Sequence, residues 1–516
     1  MRKLTALLLL MVPFAVLAQK KDKNSEKIAK TITAEDMKKH LFTIASAEME
    51  GRDTPSPGLE KAANYIEDHF KTLGLLPGNK DTYRQYYPLY KDSILGSSMK
   101  VNGAALEMNK DFLPQPSNYT GEMRFSEVVF AGYGIIDGDK RDDYKDLKVA
   151  GKLVMILDGA PADYKPAQTG TGVNTAPNSI FGKLVAAQSK GATAVVVVGT
   201  TLQRRTGGRG PGSWTINGYN ATQPVFTFNI TPDVAAKILG VQGNVLELAK
   251  TGSVESRSYR SQIELGFSKT TRTTQVSNVL GVVEGSDLKD EYVFITAHYD
   301  HVGKRGDSVI YYGADDDGSG TTGVLELAQA FAEAKKAGKG PRRSIVFMTV
   351  SGEEKGLLGS RYYSENPVFP LEKTTVDLNI DMIGRTGQEY LKDKDSTNYI
   401  YIIGDDKLST DLAVITDNVN NTYTKMKLDR KYNDPNDVNR FYFRSDHYNF
   451  AEKGVPIIFY FNGVHADYHK PTDTPDKINY SMMAKRTQLV FYTAWEMANR
   501  NEMLKRDLKL ERPRAF

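Results

Sequence analysis

The chain of 516 residues contains no cysteine. Disulfide bonds, thiolate metal sites, a cysteine nucleophile and a lipid anchor attached to cysteine are therefore all excluded. A chain of this length does not need disulfides, because the fraction of surface that is buried on folding rises with size. A transition metal bound to this protein would have to be held by histidine, aspartate and glutamate.

The chain also lacks a strong excess of charge of either sign. Its 67 basic and 63 acidic residues give a net charge of +4, and removal of Arg2 and Lys3 with the first 18 residues would leave +2. So balanced a charge gives no reason to expect nucleic acid or an anionic membrane as a partner. The composition, 40% hydrophobic and 25% charged, is that of a globular protein, and the length indicates two or three domains.

Long apolar runs are missing except at the N-terminus. There, Arg2 and Lys3 precede an apolar run over residues 4–17, and Val16-Leu17-Ala18 offers a cleavage site. The run is shorter than the about 20 residues that span a membrane. We predict a signal peptide over residues 1–18 and a protein exported to the periplasm or the extracellular space, without stable membrane insertion. An uncleaved anchor at the membrane interface is the alternative.

The remaining chain changes its pattern twice. Residues 19–30 are charged, and we expect them to be flexible. Apolar residues then recur at helical spacing from Leu59 to Leu73, and Gly74 closes this run. Over residues 90–268, short apolar runs separated by turn residues predict a β-rich inserted domain with a few helices. The main domain would then comprise residues 31–89 and 269–516. A basic, glycine-rich loop at residues 206–212 is either a lid or an ordinary surface loop.

Strands and helices alternate in the last part of the chain. The strand-like segments are apolar nearly throughout, as in strands that are covered on both faces. This pattern predicts an α/β fold, a three-layer α/β/α sandwich with a mixed, mostly parallel central sheet. The segments concerned are residues 292–297, 344–350, 376–380 and 455–461, with a helix over residues 322–335.

Polar side chains follow these strands at the point where each strand ends. In open α/β sheets, ligands bind in the crevice beyond the carboxyl ends of the strands. Four strands therefore deliver carboxylates and imidazoles to one edge, and five of the seven histidines lie in this part of the chain. The residues are His298 and Asp300, Glu353 and Glu354, Asp381, and His465, Asp467 and His469.

Three adjacent acids, Asp315, Asp316 and Asp317, stand in a glycine-rich turn that opens a helix, with Ser319 as its expected N-cap. Adjacent carboxylates repel one another, so a cation or water must compensate them. An acidic surface turn is the alternative, but the histidine and glutamates at the neighbouring strand ends favour a metal site. Imidazole and carboxylate without sulfur suit zinc and are compatible with cobalt or manganese. No His-Glu-x-x-His is present, which disfavours a site with one zinc of the thermolysin type.

At these residues the sequence closely resembles the zinc peptidase family of bacterial leucyl aminopeptidases, plasma glutamate carboxypeptidase and prostate-membrane glutamate carboxypeptidase. Each matching piece is weakly specific alone, but their common order along the chain is strongly specific. Gly51-Arg52 and the following helix resemble the N-terminal segment of that family. Residues 130–135 and 151–154 resemble a protease-associated domain inserted into the peptidase domain. The pieces in the catalytic part are residues 297–300, 313–320, 351–360, 379–382, 445–447 and 468–469.

The resemblance implies the fold of the di-zinc exopeptidases, also called phosphorylase/hydrolase-like, and two zinc ions per chain. His298 and Asp381 would bind one zinc ion, and Glu354 and His469 would bind the other. Asp316 would bridge the two.

The resemblance also implies catalytic roles. A hydroxide that bridges the metals would attack the peptide carbonyl, with Glu353 as the general base. Asp300 would accept a hydrogen bond from the far ring nitrogen of His298 and so fix its tautomer. Tyr468 would donate a hydrogen bond to the oxyanion, unless it is only a packing residue. We expect His301, His447 and His465 to make local hydrogen bonds.

These observations predict an exported metallopeptidase that cuts peptide substrates at chain ends, as an aminopeptidase. A carboxypeptidase or dipeptidase is the nearest alternative and would need arginines that bind a carboxylate; the candidates are Arg204, Arg205, Arg209 and Arg444. A glutaminyl cyclase-like transferase with one zinc, or a non-catalytic binding protein, are alternatives of other classes. The sequence leaves the oligomeric state open.

Overall fold

The computed structural model describes residues 21–115, 119–166, 176–202, 213–217, 225–434 and 436–510. The predicted signal peptide, the loop at residues 206–212 and Arg204, Arg205 and Arg209 lie outside the described residues. The chain divides into two compact units, Met1–Tyr86 with Ser277–Glu511 and Tyr87–Val276 with Arg512–Phe516. The units change between residues 86 and 87 and between residues 276 and 277, where the sequence indicated 89–90 and 268–269. Among the described helices, none combines the length and apolar character that crossing a bilayer requires.

The helices of the described residues are labelled in chain order. They are α1 (Lys23–Ala29), α2 (Ala34–Ile44), α3 (Pro57–Leu73), α4 (Ile180–Ser189), α5 (Pro232–Leu239), α6 (Val245–Lys250), α7 (Gly320–Lys336), α8 (Leu358–Glu365), α9 (Leu412–Thr422), α10 (His447–Glu452) and α11 (Tyr480–Asn499). Shorter helical turns are Ala47–Arg52, Ala314–Ser319, Leu371–Lys373, Gln388–Tyr390, Lys431–Asn433, Phe441–Phe443 and Pro475–Lys477.

The strands are labelled in the same way. They are β1 (Leu76–Pro77), β2 (Arg84–Val101), β3 (Ala104–Ala105), β4 (Phe112–Pro114), β5 (Gly121–Phe130), β6 (Ile136–Asp137), β7 (Arg141–Asp142), β8 (Leu153–Leu157), β9 (Ala194–Val198), β10 (Trp214–Thr215), β11 (Phe226–Ile230), β12 (Ser258–Val283), β13 (Leu288–His298), β14 (Lys304–Arg305), β15 (Val309–Ile310), β16 (Arg343–Val350), β17 (Thr374–Ile380), β18 (Tyr399–Ile403), β19 (Lys427–Asp429) and β20 (Ile457–Phe461).

The first unit is built on a mixed sheet with the strand order β19-β18-β20-β17-β13-β16-β12. Its centre is parallel, since β13 pairs in parallel with β16 and β17, and β17 pairs in parallel with β20. Strand β18 and residues 279–283 of β12 pair antiparallel on the two sides of this centre. Strands β16, β17 and β20 are buried over their whole length, as their apolar sequences predict for strands covered on both faces.

Two helical layers cover this sheet. Helices α7 and α11 pack on each other and on β13, β16 and β17, whereas α8 and α10 pack on each other, with α10 on β17 and β20. The predicted three-layer α/β/α sandwich is therefore confirmed. The predicted helix after Leu59 is α3, which ends at Leu73 because Gly74 adopts a left-handed conformation and its N–H caps the last turn.

The prediction of a flexible segment over residues 19–30 is wrong for its described part, because residues Lys23–Ala29 form α1. The side chain of Asp22 caps this helix at the N–H of Asn24. The indole N–H of Trp495, on α11, also donates to Asp22 over 3.0 Å. Helix α1 packs on α7 and α11, so contacts with distant parts of the chain stabilise it. Because this segment has no apolar stripe of its own, its sequence does not predict a helix.

The second unit is also an α/β structure. Strands β5, β8, β9 and β11 form a parallel sheet, with β4 and residues 258–267 of β12 antiparallel at its edges. Separate apolar clusters cover the two faces, with α5 and α6 in one cluster and α4 in the other. The few helices expected in this β-rich region are present, with α4 between strands β8 and β9. Its assignment as a protease-associated domain stays a prediction.

Helix α7 of the first unit carries a buried acid, Glu326, near the N-terminal helices. The side chain of Glu326 is about 1% exposed, its Oε1 has no hydrogen-bond partner, and His40 Nε2 lies 3.6 Å from this oxygen. Burial raises the pKa of Glu326 to about 8. Burial and the adjacent His69 lower the pKa of His40 to about 4. At neutral pH both side chains are therefore uncharged in the folded state.

We predict that Glu326→Gln reduces the loss of stability at alkaline pH. In the unfolded chain this carboxyl ionises near 4.5, whereas the folded protein keeps the proton up to about 8, so the free energy of unfolding falls between these values. The variant should unfold at the wild-type temperature at pH 4 and at a higher temperature at pH 8. At pH 8 its free energy of unfolding should exceed that of the wild type by up to a few kcal/mol. Thermal unfolding across this pH range checks it. Glu333→Gln, an exposed change on the same helix, is the control; equal pH dependence of Glu326→Gln and wild type would refute the prediction.

Candidate metal centre

The strand register brings the predicted ligands together at one edge of the main sheet. His298 is the last residue of β13 and lies opposite Val350, the last residue of β16. Asp381 directly follows β17, and Glu353 and Glu354 follow β16 by a few residues. Because these strands are parallel, their carboxyl ends deliver the four side chains to the same crevice, as the sequence indicated.

Asp316 lies between two groups of metal-binding side chains. On one side its Oδ1 is 3.3 Å from His298 Nε2, and Asp381 Oδ1 is 3.7 Å from the same nitrogen. On the other side its Oδ2 is 2.9 Å from His469 Nε2, which is 3.2 Å from Glu354 Oε1. The five predicted ligands therefore form two adjacent groups that share one carboxylate.

The residues of the centre fit divalent metal ions. His298 Nε2, Asp316 Oδ2 and Glu354 Oε1 are buried and have no hydrogen-bond partner, although each lies close to other polar atoms. Burial opposes ionisation of Asp316, but the imidazoles of His298 and His469 outweigh it and hold the pKa of Asp316 well below its ordinary value. Zinc prefers ionised carboxylates and imidazole nitrogens as donors, in small groups of about four ligands.

Asp300 orients His298 in a different way from the one predicted. The Nδ1 atom of His298 is 3.0 Å from the main-chain carbonyl oxygen of Asp300, and 3.6 Å from its carboxylate. The carboxylate has other partners, because it accepts hydrogen bonds from the hydroxyl of Thr54 at 3.0 Å and from the N–H of Glu353 at 3.1 Å. Asp300 therefore fixes the His298 ring through its backbone and the Glu353 backbone through its side chain.

The acids on either side of Asp316 connect the elements of the centre. The carboxylate of Asp317 accepts hydrogen bonds from the N–H groups of His298, Gly320 and Met382, and so ties together β13, α7 and the end of β17. The peptide between Asp316 and Asp317 is cis. Asp317 is therefore a structural residue, and only the middle acid of the three faces both ligand groups.

Ser319 stands at the N-cap position of α7, as predicted, but its side chain makes no capping hydrogen bond. Its hydroxyl donates to the main-chain carbonyl of Asp315 over 2.8 Å and accepts from the N–H of Ile383. The first turn of α7 is capped instead by the carboxylate of Asp317, at the N–H of Gly320. Ser319 therefore occupies the cap position, while Asp317 supplies the capping side chain.

Arg52 is a buried cation behind the carboxylates. Its guanidinium donates to the carbonyl oxygens of Ile44, Tyr299, Tyr312 and Gly313 at 2.7–2.9 Å. Burial lowers the pKa of Arg52 to about 10, so the side chain stays charged at neutral pH. The side chain therefore joins the N-terminal segment to the acidic turn and offsets part of its charge.

Gly51, the residue before this arginine, allows the N-terminal segment to approach the centre. It adopts a left-handed conformation with φ of 68°, and a Cβ atom here would lie 2.3 Å from the carbonyl oxygen of Gly303. Any other residue would force the segment away from the strand ends. The Gly51-Arg52 pair is thus explained by the close backbone approach at Gly51 and by the buried hydrogen bonds of Arg52.

Ser445 positions one of the predicted ligands. Its hydroxyl donates to Asp381 Oδ2 over 2.7 Å and accepts from the side-chain amide of Asn379. Sequence reasoning noticed this serine only as part of a family motif and assigned it no role. Its position directly before the buried Asp446 was the available signal.

A cleft opens beside the centre. Asp316, Glu353 and Asp381 form its polar side. Its other walls are mainly apolar and aromatic, with one cation; they consist of Met382, Phe441, Arg444, Phe459, Phe461, Val464 and Tyr468. A substrate in this cleft would contact both Glu353 and the metal ligands.

The other three histidines of this region differ in their surroundings. His447 is buried on Phe459, and its Nε2 is 2.8 Å from the carbonyl oxygen of Tyr442, which confirms a local hydrogen bond. His465 accepts from the N–H of Asp467, which also confirms a local role. His301 is different, because its ring faces the metal ligands and neither ring nitrogen has a hydrogen-bond partner. The prediction of a local hydrogen bond is wrong for this residue.

The part of the chain that contains the centre is similar to known proteins. Residues 278–494, which contain all five predicted ligands and Glu353, match the family described as Peptidase family M28. Residues 278–494 thus resemble a peptidase domain of family M28. Over 259 residues it is 27% identical to a probable leucine aminopeptidase of Arthroderma otae, a match that covers 44% of this chain and 65% of that protein. Over 120 residues it is 32% identical to the probable glutamate carboxypeptidase LAMP1 of Arabidopsis thaliana, covering 23% and 16% of the two chains.

The fold also resembles that of a solved protein. An aminopeptidase from Aneurinibacillus sp. strain AM-1 superimposes with a TM-score of 0.52 at 19% identity, over 94% of this chain and 99% of the other. The likeness to the curated relatives is narrower, since the matches span less than two thirds of their lengths. The comparisons thus show the α/β fold and a match of residues 278–494 to family M28.

We predict that Ser445→Ala weakens zinc binding at the site of Asp381. The variant removes a hydrogen bond that fixes the orientation of this carboxylate, and loss of such an outer partner typically costs about 10–100-fold in metal affinity. Competition with a chromophoric chelator measures the affinity. Ser364→Ala, which removes a buried hydroxyl bonded to Arg361 on α8, is the control and should bind zinc as wild type does. Wild-type affinity of Ser445→Ala would show that Asp381 needs no such support.

Proposed function

We propose that this chain is an exported di-zinc metallopeptidase that removes residues from the N-terminus of peptides. The observation that carries the proposal is the carboxylate of Asp316 between two ligand groups, with Glu353 beside them at the wall of an open cleft. The basic and apolar N-terminal sequence supports export. Relatives described as aminopeptidases support the choice of chain end.

His298, Asp316 and Asp381 would hold one zinc ion, and Asp316, Glu354 and His469 would hold the other. When bound there, the metal would supply Lewis acidity toward a peptide carbonyl and a water molecule. The remaining steps belong to the side chains of the cleft.

Glu353 is placed to move the proton. Burial raises the pKa of Glu353 well above its ordinary value, opposed by His298 and reinforced by Glu354. A cation bound in the centre favours the ionised form, which a general base needs. The hydrogen bond from its N–H to Asp300 fixes its backbone, so that the carboxylate can take a proton from the attacking water and pass it to the leaving amine.

Tyr468 is placed to stabilise the oxyanion. Its ring stacks on His469 at 4.0 Å, and its phenol oxygen accepts a hydrogen bond from Arg444 over 3.3 Å. Burial raises the pKa of Tyr468, so the phenol keeps its proton at neutral pH. That proton is available to the developing oxyanion, and the arginine behind it strengthens the donor.

One observation favours a second candidate, a carboxypeptidase or dipeptidase. Arg444 lines the cleft and lies over the ring of Phe441, with its guanidinium carbon 4.9 Å from the ring centroid. In that position it could bind the carboxylate of a peptide C-terminus. Both ligand groups of the centre are complete, which argues against a cyclase that binds one zinc ion. The presence of Glu353 in the cleft argues against a non-catalytic binding protein.

We predict that Glu353→Gln retains zinc but loses activity by at least about 100-fold, because a positioned general base contributes about 10²–10⁴ to the rate. The glutamine keeps the size of the side chain and removes the proton acceptor. Zinc content and turnover of a peptide substrate are measured on the same preparation. Glu365→Gln, at the end of α8, is the control with an unchanged rate. Near-normal turnover of Glu353→Gln would contradict the assigned role.

Peptides with free and acetylated N-termini distinguish the two candidates. We expect the zinc-loaded mature protein to remove N-terminal residues one at a time, only from free amines, as followed by mass spectrometry. Apolar N-terminal residues should be preferred because the cleft has aromatic walls. Trimming from the C-terminus, lost in Arg444→Ala, would establish the carboxypeptidase instead.

A further inference from the structure

We propose that His301 is a sixth ligand of the metal centre and binds the second ion through Nδ1, together with Glu354, His469 and the bridging Asp316. The proposal rests on the two-metal centre of the proposed function and adds a residue to it. The five-ligand set expected from the family resemblance does not include this histidine.

His301 occupies the position of a ligand. Its side chain is 0% exposed, and its Nδ1 is 2.9 Å from Glu354 Oε1 and 3.7 Å from Asp316 Oδ2. His301, Asp316 and Glu354 each offer one ligand atom, and these atoms all lie within 4.8 Å of one another. In a tetrahedral zinc site with bonds of about 2.0–2.1 Å, neighbouring donor atoms are separated by about 3.3 Å. The observed distances lie on either side of this value.

The contact between His301 and Glu354 lacks the geometry of a hydrogen bond. Neither Nδ1 of His301 nor Oε1 of Glu354 has a hydrogen-bond partner, although the two atoms are only 2.9 Å apart. His298 Nε2, a predicted ligand nitrogen, shows the same combination of full burial, nearby carboxylate oxygens and no hydrogen bond. His301 Nδ1 thus lies close to two carboxylate oxygens without a hydrogen bond to either, which is the surrounding of a metal-ligating nitrogen. A buried polar nitrogen that is left without any partner destabilises the folded protein, so a bound ion would satisfy it.

The surrounding backbone holds the His301 ring in this place. The N–H of His301 donates to the carbonyl oxygen of Arg52 over 3.2 Å. The ring lies directly on Gly313, where a Cβ atom would come within 2.4 Å of His301 Cγ. Only glycine leaves room for the ring at this point, so the acidic turn and the ring fit each other.

The two imidazoles of the second position differ in exposure. The side chain of His469 is 37% exposed, whereas that of His301 is 0% exposed, and the ring centroids are 5.6 Å apart. His469 borders the cleft through its stacked neighbour Tyr468. The second ion would therefore have one ligand next to the substrate and one that is shielded from water. We expect His301, the shielded ligand, to retain the ion when substrate or product displaces solvent near His469.

A crystal structure of the zinc-loaded wild-type protein, with anomalous data at the zinc edge, tests coordination directly. The proposal expects two anomalous peaks, with His301 Nδ1 at about 2.0–2.1 Å from the second. Two peaks with Nδ1 more than about 3 Å from both would overturn this inference and leave the di-zinc peptidase intact. Fewer than two peaks at these residues would instead contradict the proposed function itself.

His301→Gln tests the same point in solution. Because loss of an outer hydrogen-bonding partner costs about 10–100-fold in metal affinity, loss of a ligand should weaken binding of the second zinc by more than about 100-fold. The affinity is measured by chelator competition, with His469→Gln as the reference for a lost ligand. His69→Gln, a histidine on α3 outside the centre, is the matched control and should bind zinc as wild type does. A smaller loss in His301→Gln would contradict coordination; if that variant does not fold, the crystal structure of the wild type decides.

Discussion

Buried negative charge at the carboxyl edge of the main sheet is the constraint on which the rest of this protein depends. Ionised carboxylates in a protein interior are costly unless cations or hydrogen-bond donors compensate them. Arg52 is a compensating cation that the fold itself provides, and it lies behind the acids and not among them. Two divalent ions within the ligand groups would supply the remainder. The acids concerned are Asp315, Asp316, Asp317, Glu353, Glu354, Asp381, Asp446 and Asp473.

The same acids divide into two classes by their partners. The side-chain oxygens of Asp317 accept hydrogen bonds from backbone N–H groups of three elements, so this side chain is used to build the centre. Asp316 and Glu354 keep buried oxygens without hydrogen-bond partners, so their charge is directed at what the centre binds. The peptidase chemistry proposed for Glu353 depends on both classes, because structural acids hold the strand ends in register while the others bind the ions.

The sequence predicted the elements and the place of the centre, because continuous apolar strands and the polar residues after them are local signals. Strands β13, β16, β17 and β20 and the ligands at their ends follow from this pattern. Contacts between distant residues could not be read in the same way. Helix α1 depends on Trp495, which is 473 residues from Asp22. The use of the Asp300 carbonyl, and the turn of His301 toward the ligands, depend on loop backbone conformations that no periodicity encodes.

Metal stoichiometry tests the central claim most directly. Chelator-treated protein would be loaded with zinc, passed through a desalting column and analysed by mass spectrometry for zinc per chain, alongside Asp316→Ala. The account predicts a value near two for the wild type and a clear decrease in the variant, because Asp316 serves both positions. A wild-type value near zero, or a value that Asp316→Ala does not change, would contradict the claim that these carboxylates are built to hold two metal ions.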